Sequence, residues 1–323
     1  MMPPPETGLS YVIFSRADWA ALRATTPLTL TEDDLAALRG LNEPITLDEV
    51  AEIVLPLTRL LNLHITAVQQ LVRVTDIFLG LPSRPAPFVI GVAGSVAAGK
   101  STIARVLREV LSRWFEHRRV DLLTTDGFLH PNAVLAERGL MQRKGFPESY
   151  DLPRLVRFLA DVKAGRTAQA PVYSHLTYDI VPGEVKAFAN PDVLIVEGIN
   201  VLQPAPNSAE RGARTVVSDF FDFSIFIDAD EPSLRQWYIQ RFLALRDTAF
   251  RNPESYFHRF SQLSEPDATE TAGRIWDEIN RVNLKQNIES TRDRATVVLR
   301  KAPDHAVQEV WLRRPSAPTP AAG

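Results

Sequence analysis

Short apolar runs alternate with longer amphipathic stretches along the chain from residue 88 onwards. The runs are rich in β-branched residues, as is typical of parallel strands buried on both faces; they cover residues 88–92, 120–125, 193–196, 223–227 and 296–299. Stretches between them, such as residues 102–114 and 232–246, have the apolar spacing of helices. This alternation predicts an α/β fold with a doubly wound, mainly parallel sheet, which binds ligands beyond the carboxyl ends of its strands.

The N-terminal part, residues 29–80, has a helical pattern throughout. Thr31 and Thr46 each begin a capping pattern, in which a hydroxyl accepts from backbone amides and acids follow in the first turn. Pro56 is expected to kink or restart the second helix, because proline lacks the backbone N–H. We expect residues 13–82 to form a helical layer on an α/β core at residues 83–314, within one domain. This helical layer could serve only to pack on the core, or it could also form a dimer contact; the sequence leaves both interpretations open.

Both ends of the chain, residues 1–12 and 315–323, are expected to be disordered. Their extremities are rich in Pro, Ala and Gly, which bury too little surface to become ordered.

Composition narrows the functional classes. The 323 residues include 36 basic and 39 acidic side chains, which give a net charge of -3. This charge balance lacks the basic excess that binding to nucleic acid or to an anionic membrane favours. No cysteine occurs, which excludes disulfides and thiolate metal sites and fits a reducing cytosol. The N-terminus lacks the pattern of a secretory signal, and the longest weakly polar run is shorter than the ~20 residues of a membrane span. A soluble, cytoplasmic protein is expected.

Residues 94–101 read Gly-Ser-Val-Ala-Ala-Gly-Lys-Ser and match the Walker A pattern G-x-x-x-x-G-K-[ST]. A predicted strand precedes them and a predicted helix follows, which disfavours a chance match in a glycine-containing turn. Such a loop turns its amides towards phosphate oxygens, while Lys100 would reach the β- and γ-phosphates and Ser101 would bind Mg²⁺. The candidate ATP-binding residues are Gly94, Ser95, Val96, Ala97, Ala98, Gly99, Lys100, Ser101 and Thr102.

Two acids follow predicted strands. Asp126 comes just after the second strand, where a carboxylate can accept the proton of an attacking hydroxyl or hold Mg²⁺ through water. The Asp-Gly pair is also a common turn, so the spelling alone leaves both readings open. Glu197 ends a fully apolar strand, as the acid of a Walker B element does, although strands ending in an acid are frequent.

Three stretches compete for the acceptor pocket. Tyr173, His175 and Tyr178 lie in a predicted loop, which either orients a small polar ligand or is a surface loop anchored by its rings. Arg241 lies on a predicted helix and could neutralise charge on the transferred phosphoryl group, or form an ordinary surface ion pair.

The third stretch is the aromatic segment at residues 250–260, which suits a pocket wall or a lid. Asn280 and Asn283 lie on a later predicted helix. Asn is a poor helix former, so either a ligand contact or a structural hydrogen bond is expected there.

Seven longer strings together resemble the bacterial type I pantothenate kinase family. They occur in the family's order, and the resemblance extends over most of the chain. The strings are residues 91–101, 124–131, 144–150, 171–175, 197–202, 237–242 and 283–287. The resemblance implies ATP- and Mg²⁺-dependent phosphorylation of pantothenate at its primary hydroxyl, the first step towards coenzyme A.

The resemblance also implies residue roles. Asp126 would be the general base, with Lys100 and Arg241 stabilising the phosphoryl group, and Ser101 and Glu197 would support Mg²⁺. The implied pantothenate contacts are Tyr173, His175, Tyr238, Phe242, Phe257 and Asn280.

Members of the family are homodimers inhibited by coenzyme A, and Lys100, Arg105 and His175 match the implied inhibitor contacts. Leu245 departs from an aromatic residue in some relatives, and residues 205–215 match no family string. The rival interpretations are a kinase of the uridine kinase or phosphoribulokinase type and a non-catalytic nucleotide-dependent regulator.

Overall fold

The computed structural model describes residues 11–41, 43–82, 86–113, 118–204 and 215–314. Its main sheet has seven strands in the order β1-β9-β8-β7-β2-β6-β3. The strands of this sheet are β1 (Tyr11–Ser15), β2 (Phe88–Gly94), β3 (Val120–Thr124), β6 (Val193–Glu197), β7 (Phe223–Asp228), β8 (Val297–Lys301) and β9 (Val307–Arg313). Neighbours among β8, β7, β2, β6 and β3 are parallel, and β9 and β1 complete the sheet in antiparallel register. The predicted doubly wound, mainly parallel sheet is confirmed.

Helices cover the sheet and extend from it. They are α1 (Arg16–Ala21), α2 (Glu32–Leu38), α3 (Leu47–Glu49), α4 (Leu55–Leu79), α5 (Lys100–Arg113), α6 (Asn132–Glu137), α7 (Leu152–Lys163), α8 (Glu231–Asp247), α9 (Glu265–Ile275) and α10 (Arg281–Asn283). The central strands β2 and β6 are wholly buried, as their unbroken apolar runs predict.

The helical layer begins with the predicted caps. Thr31 and Asp34 form a reciprocal capping box at the start of α2, and the Thr46 hydroxyl accepts from the amide of Glu49. A π-helical turn at Val50–Val54 joins α3 to α4 and places Pro56 in the first turn of α4, where its missing N–H costs little. The continuous helix Leu47–Leu79 is long and apolar enough to cross a membrane, but half of its most apolar window is buried inside the fold. Burial of that kind is typical of a core helix.

Strand β1 corrects one expected boundary. Residues 1–12 were expected to be disordered, yet Tyr11 and Val12 pair with Arg313 and Leu312 of β9. The apolar stretch that begins at Tyr11 gains an ordered partner only from the far end of the chain, so local composition could not reveal it. Residues 1–10 and 315–323 lie outside the described residues.

The stretch at residues 171–179 is a second correction, because it is a hairpin rather than a loop. β4 (Ala168–Ser174) pairs antiparallel with β5 (Asp179–Phe188), and the register shifts between Pro171 and Tyr173. Proline and this irregularity break the period-2 pattern by which strands are usually detected. The hairpin is a separate two-stranded sheet.

The parallel register brings the candidate chemistry to one edge. Val92 is level with Glu197, which is level with Thr124, and Gly94 is level with Ile227. The ends of β2, β6 and β3 therefore deliver the phosphate loop, Glu197 and the turn that holds Asp126 side by side.

Candidate active site

The loop between β2 and α5 has the backbone of a phosphate cradle. Gly94, Ala97 and Gly99 have φ angles of 142°, 64° and 94°, so three residues turn through conformations that side chains disfavour. A Cβ on Gly94 would lie 2.5 Å from the carbonyl oxygen of Ile227, and one on Gly99 would lie 2.8 Å from the Lys301 ammonium. The tight curl and the N-terminus of α5 together form an anion site.

Lys100 lies at the start of α5 with only 7% of its surface exposed. Its Nζ donates to the carbonyl oxygen of Ser95, 2.8 Å away, which bends the side chain back over the loop. Burial lowers the pKa of Lys100, while the nearby carboxylates of Glu197 and Asp126 oppose that shift. The ammonium is thus held among acids in a site that burial has largely stripped of water.

Glu197 ends β6 and accepts a hydrogen bond from the Ser101 hydroxyl. Burial raises its pKa, and Lys100 opposes that rise. A hydroxyl beside a carboxylate is an oxygen-only donor pair, and it suits Mg²⁺, which takes few protein ligands and completes its shell with phosphates and water. Among the described residues no cluster of three or more His, Cys, Asp or Glu side chains could hold a metal. The pair therefore fits an ion shared with a nucleotide.

Asp126 lies in the 3-10 turn Thr125–Phe128 directly after β3 and is half-buried. Its carboxylate acts electrostatically on Lys100 and Glu197. It also acts on Lys144 and Tyr173. Asp126 is therefore within electrostatic reach of both the phosphate loop and the hairpin.

Two arginines frame the loop. Arg241 projects from the exposed side of α8 and still acts on Lys100, so α8 turns this face towards the phosphate loop. Arg105, one turn into α5, donates to the Leu38 carbonyl oxygen at 2.9 Å and to the Thr102 hydroxyl at 3.1 Å. Arg105 thus ties α5 to α2, at the side of the loop where Thr102 also donates to the Glu43 carboxylate.

The predicted acceptor residues on the hairpin lie together. Tyr173 at the end of β4 and His175 in the turn form an edge-to-face ring pair at 5.2 Å. Tyr178 lies 6.3 Å from Tyr173 and 4.7 Å from Phe257, ring to ring. The Tyr256 amide donates to the Leu176 carbonyl oxygen, so the hairpin turn and the aromatic segment are fastened to each other.

The predicted pantothenate contacts on α8 and later in the chain fall into two groups. The Asn280 amide donates to the hydroxyl of Tyr238, which also acts electrostatically on Tyr178, so these residues face the hairpin. Phe242 is 6% exposed and packs against Phe250 and Phe260, and these two rings in turn contact Phe257, so Phe242 lies two rings further from the hairpin than Phe257. Phe242 and Leu245 belong to a small apolar cluster, and Phe257 packs against it.

Sequence reasoning missed Lys144 as a site residue, although it begins one of the family strings. Its Nζ lies 3.9 Å above the Tyr178 ring and 2.7 Å from the Asn132 side-chain oxygen. Burial lowers its pKa to about 8, and the carboxylates of Asp179 and Asp126 oppose the shift. Lys144 begins a Lys-Gly-Phe-Pro sequence of the kind found in surface turns, so nothing in the local sequence indicates that this lysine is buried.

A cavity of about 280 Å³ adjoins the other side of the phosphate loop, between Ser95 and the end of β7. A far smaller space, lined by Glu43, Lys301 and His305, adjoins Gly99 and Thr102. The Lys301 ammonium donates to the Ala98 carbonyl oxygen at 3.2 Å and so braces the loop from this second side.

The doubly wound sheet, the phosphate loop and the acids at the neighbouring strand ends define a P-loop kinase. The model of the phosphoribulokinase / uridine kinase family matches residues 89–252. A protein named pantothenate kinase from Sorangium cellulosum (strain So ce56) is 61% identical over 306 residues, which cover 94% of this chain and 98% of that one. Another of that name, from Rhodopseudomonas palustris (strain TIE-1), is 58% identical over 305 residues, 94% of this chain and 96% of that one.

Among solved structures, D-glycerate 3-kinase from Cryptococcus neoformans shares the fold with a TM-score of 0.52 at 15% identity. The match covers 78% of this chain and 97% of that one. The chain belongs to the pantothenate kinases, within the phosphoribulokinase/uridine kinase family.

Proposed function

We propose that the protein transfers the γ-phosphoryl group of ATP to the primary hydroxyl of pantothenate, forming 4'-phosphopantothenate for coenzyme A synthesis. The observation that carries this proposal is the position of Asp126. Its carboxylate acts on Lys100 at the phosphate loop and on Lys144 and Tyr173 at the hairpin. A general base between a phosphate cradle and an acceptor pocket is the arrangement that hydroxyl phosphorylation requires.

The donor side stabilises charge. Lys100 and the amides of the loop would hold the β- and γ-phosphates, and Arg241 would face the transferred phosphoryl group. Ser101 and Glu197 would hold Mg²⁺, which supplies neutralisation of phosphate charge when bound. Asp126 would orient the acceptor hydroxyl and take its proton as the oxygen attacks.

The acceptor side supplies orientation. Pantothenate carries a carboxylate, an amide and hydroxyl groups, which match the mixed donors of Tyr173, His175, Tyr238 and Asn280. Phe257 contacts Tyr178 and would close the pocket against water, with Phe242 behind it. The high identity to relatives named pantothenate kinase supports pantothenate over uridine as the acceptor.

Regulation and assembly form the finer part of the proposal. Coenzyme A would compete with ATP at Lys100, Arg105 and His175, as the family resemblance implies.

Homodimerisation would cover the α4 apolar face, which we define as Leu63, Leu71, Val74, Ile77 and Phe78; these residues are 60%, 66%, 63%, 67% and 87% exposed. They recur at helical spacing along the outer side of α4, so one copy can pack on another. Cytoplasmic location fits the absence of cysteine and the metabolic role.

The test is ADP release by the purified protein with ATP and Mg²⁺, with pantothenate or uridine added in parallel. Release that depends on pantothenate and falls on addition of coenzyme A is the expected result. Release with uridine alone would overturn the acceptor. ATP binding without acceptor-dependent release would favour a non-catalytic regulator.

A further inference from the structure

We propose that Asn200 and Asn283 are positioning residues, which hold Lys144 at the acceptor pocket by binding the carbonyl oxygen of Gly145. The inference rests on the proposed function for its kinetic readout. It assigns a role to two sequence strings that the proposed chemistry leaves without one, at residues 144–150 and 283–287, and to Asn200 within a third, at residues 197–202. We call Asn200, Asn283 and the Gly145 carbonyl the amide clamp.

In the amide clamp, two side-chain amides donate hydrogen bonds to one backbone carbonyl oxygen. The side-chain Nδ2 atoms of Asn200 and Asn283 lie 2.7 Å and 3.0 Å from the Gly145 carbonyl oxygen. The two asparagines are only 6% and 4% exposed. A buried carbonyl with both lone pairs occupied is fixed in direction, and removal of a donor leaves buried polar groups unsatisfied.

Gly145 is fixed on its amide side as well. Its N–H donates to the Ser149 hydroxyl at 2.9 Å, and this serine is fully buried. The φ angle of Gly145 is 96°, a left-handed conformation that glycine adopts without strain. The two peptide units that flank the Gly145 Cα are therefore both held, the one after Lys144 by Ser149 and the next one by Asn200 and Asn283.

Asn283, one of the two clamp asparagines, is itself oriented. Asn283 lies in α10, between the π-helical turns Trp276–Asn280 and Leu284–Ile288. Its side-chain oxygen accepts from the Asn287 amide at 2.9 Å, and the Asn287 carbonyl oxygen accepts from Gln203. Asn200 follows Glu197 by three residues, so the clamp also joins the end of β6 to this helix. These contacts fix which side-chain atom of Asn283 faces Gly145.

Lys144 is the side chain that the amide clamp positions. Its ammonium donates to the Asn132 side-chain oxygen and to the Tyr178 carbonyl oxygen, and it lies over the Tyr178 ring. A lysine ammonium has three donors, and these two contacts within the described residues leave one for a ligand. Asp126 acts electrostatically on this ammonium, and the centre of the Tyr173 ring lies 5.1 Å from it. A shift of the Gly145 peptide would move the ammonium away from both groups.

The kinetic test is a double-mutant cycle between Asn283→Asp and Lys144→Met. Aspartate keeps the size of Asn283 and can still accept from Asn287, but it cannot donate to Gly145. We expect KM for pantothenate to rise about tenfold, the effect of losing one buried hydrogen bond, with KM for ATP nearly unchanged. In the Lys144→Met background the same substitution should add almost nothing, because the residue it positions is gone. Additive losses, or equal changes in both KM values, would overturn the inference.

Thr291→Val is the matched control. Thr291 is 2% exposed and lies just beyond the second π-helical turn, where its hydroxyl donates to the Ile288 carbonyl oxygen at 2.7 Å. Its loss should lower the melting temperature without changing KM for pantothenate. A pantothenate effect as large as that of Asn283→Asp would show that general destabilisation explains both.

A second readout needs no acceptor and separates the clamp from the proposed function. Acetic anhydride acetylates the exposed, neutral form of lysine, and peptide mass spectrometry gives the rate at Lys144. Breaking the clamp should raise that rate about fivefold in Asn283→Asp, as expected for the loss of one hydrogen bond, but not in Thr291→Val. An unchanged rate would overturn the clamp whatever the enzyme phosphorylates. A raised rate in an enzyme that ignores pantothenate would instead overturn the acceptor.

Discussion

At the scale of single residues, the charges of the site form one connected set. Lys100 and Glu197 are both buried, and each opposes the pKa shift that burial imposes on the other. Asp126 acts on both and is less buried than either. We therefore expect Asp126, rather than Glu197, to be the carboxylate that meets the acceptor, while Glu197 stays with Ser101.

Replacement of Asp126 tests its role as the base. We expect Asp126→Asn to reduce kcat by roughly a hundredfold or more, as loss of an essential proton acceptor or charge-stabilising group does. ATP binding, measured by calorimetry, should remain. Asp121→Asn on β3, the strand that leads into the Asp126 turn, is the control and should leave both quantities unchanged. Equal loss of binding and turnover in the Asp126 variant would refute the base assignment.

Lys144 predicts a pH dependence. Burial lowers its pKa from 10.5 to about 8, so the ammonium loses its charge as the pH rises through 8. We expect kcat/KM for pantothenate to fall over that range, and the fall to vanish in Lys144→Arg, whose guanidinium stays charged. Lys100 is retained in this variant, so a persisting fall would assign the titration elsewhere.

Stability should change in the opposite direction to activity over the same range. The unfolded chain keeps its proton up to about pH 10.5, the ordinary lysine value, whereas the folded chain loses it near 8. The unfolded state therefore binds more protons between these values, and the contribution of Lys144 to the free energy of unfolding rises with pH. Denaturant titrations at pH 7.5 and about pH 9.5, for the native protein and Lys144→Met, measure this difference.

At the scale of elements, the phosphate loop depends on glycine for two reasons at once. Gly94 combines a φ of 142° with a carbonyl oxygen 2.5 Å from where a Cβ would lie. We expect Gly94→Ala to destabilise the fold by about 2 kcal/mol or more and to abolish ATP binding.

Gly183 on β5 provides the comparison, since its φ is 76° but nothing lies within 4 Å of an added Cβ. Its change to alanine should cost only about 1 kcal/mol and leave the kinetics intact. Thermal unfolding and nucleotide titration of both variants separate backbone strain from steric collision. Similar behaviour of the two would show that the close approach at Gly94 is unimportant.

The elements also show what the sequence could reveal. The phosphate loop, the buried strands and the caps at Thr31 and Thr46 are encoded within a few residues, and all were predictable. The hairpin was hidden because Pro171 and a register shift break its alternation. The π-helical turns and the amide clamp could not be predicted either. The role of a side chain such as Asn283 depends on its hydrogen bond to Gly145, which is 138 residues away in the sequence. The roles of the site residues stay predictions.

At the scale of the whole molecule, the α4 apolar face is the surface with most to gain from a partner. Phe78 is 87% exposed, and solvation of so large an apolar side chain is unfavourable. We expect a dimer in light scattering and a monomer after Phe78→Glu, because each copy would bury a charge at the contact. Val185→Glu on β5, where the valine is 45% exposed, should leave the mass unchanged. A dimer that survives Phe78→Glu would place the contact elsewhere.

The pairing of β1 with β9 has a consequence for how the chain folds as it is made. Tyr11 is opposite Arg313, so β1 has its partner in a strand that is synthesised much later. Until then β1 must wait unpaired, and the parallel strands can assemble only as far as an open edge at β8. A chain that stops short of residue 307 lacks β9, so β8 becomes an exposed edge and β1 has no partner, and exposed edges recruit other chains. Pairing of β9 therefore both gives β1 its partner and protects the β8 edge from aggregation.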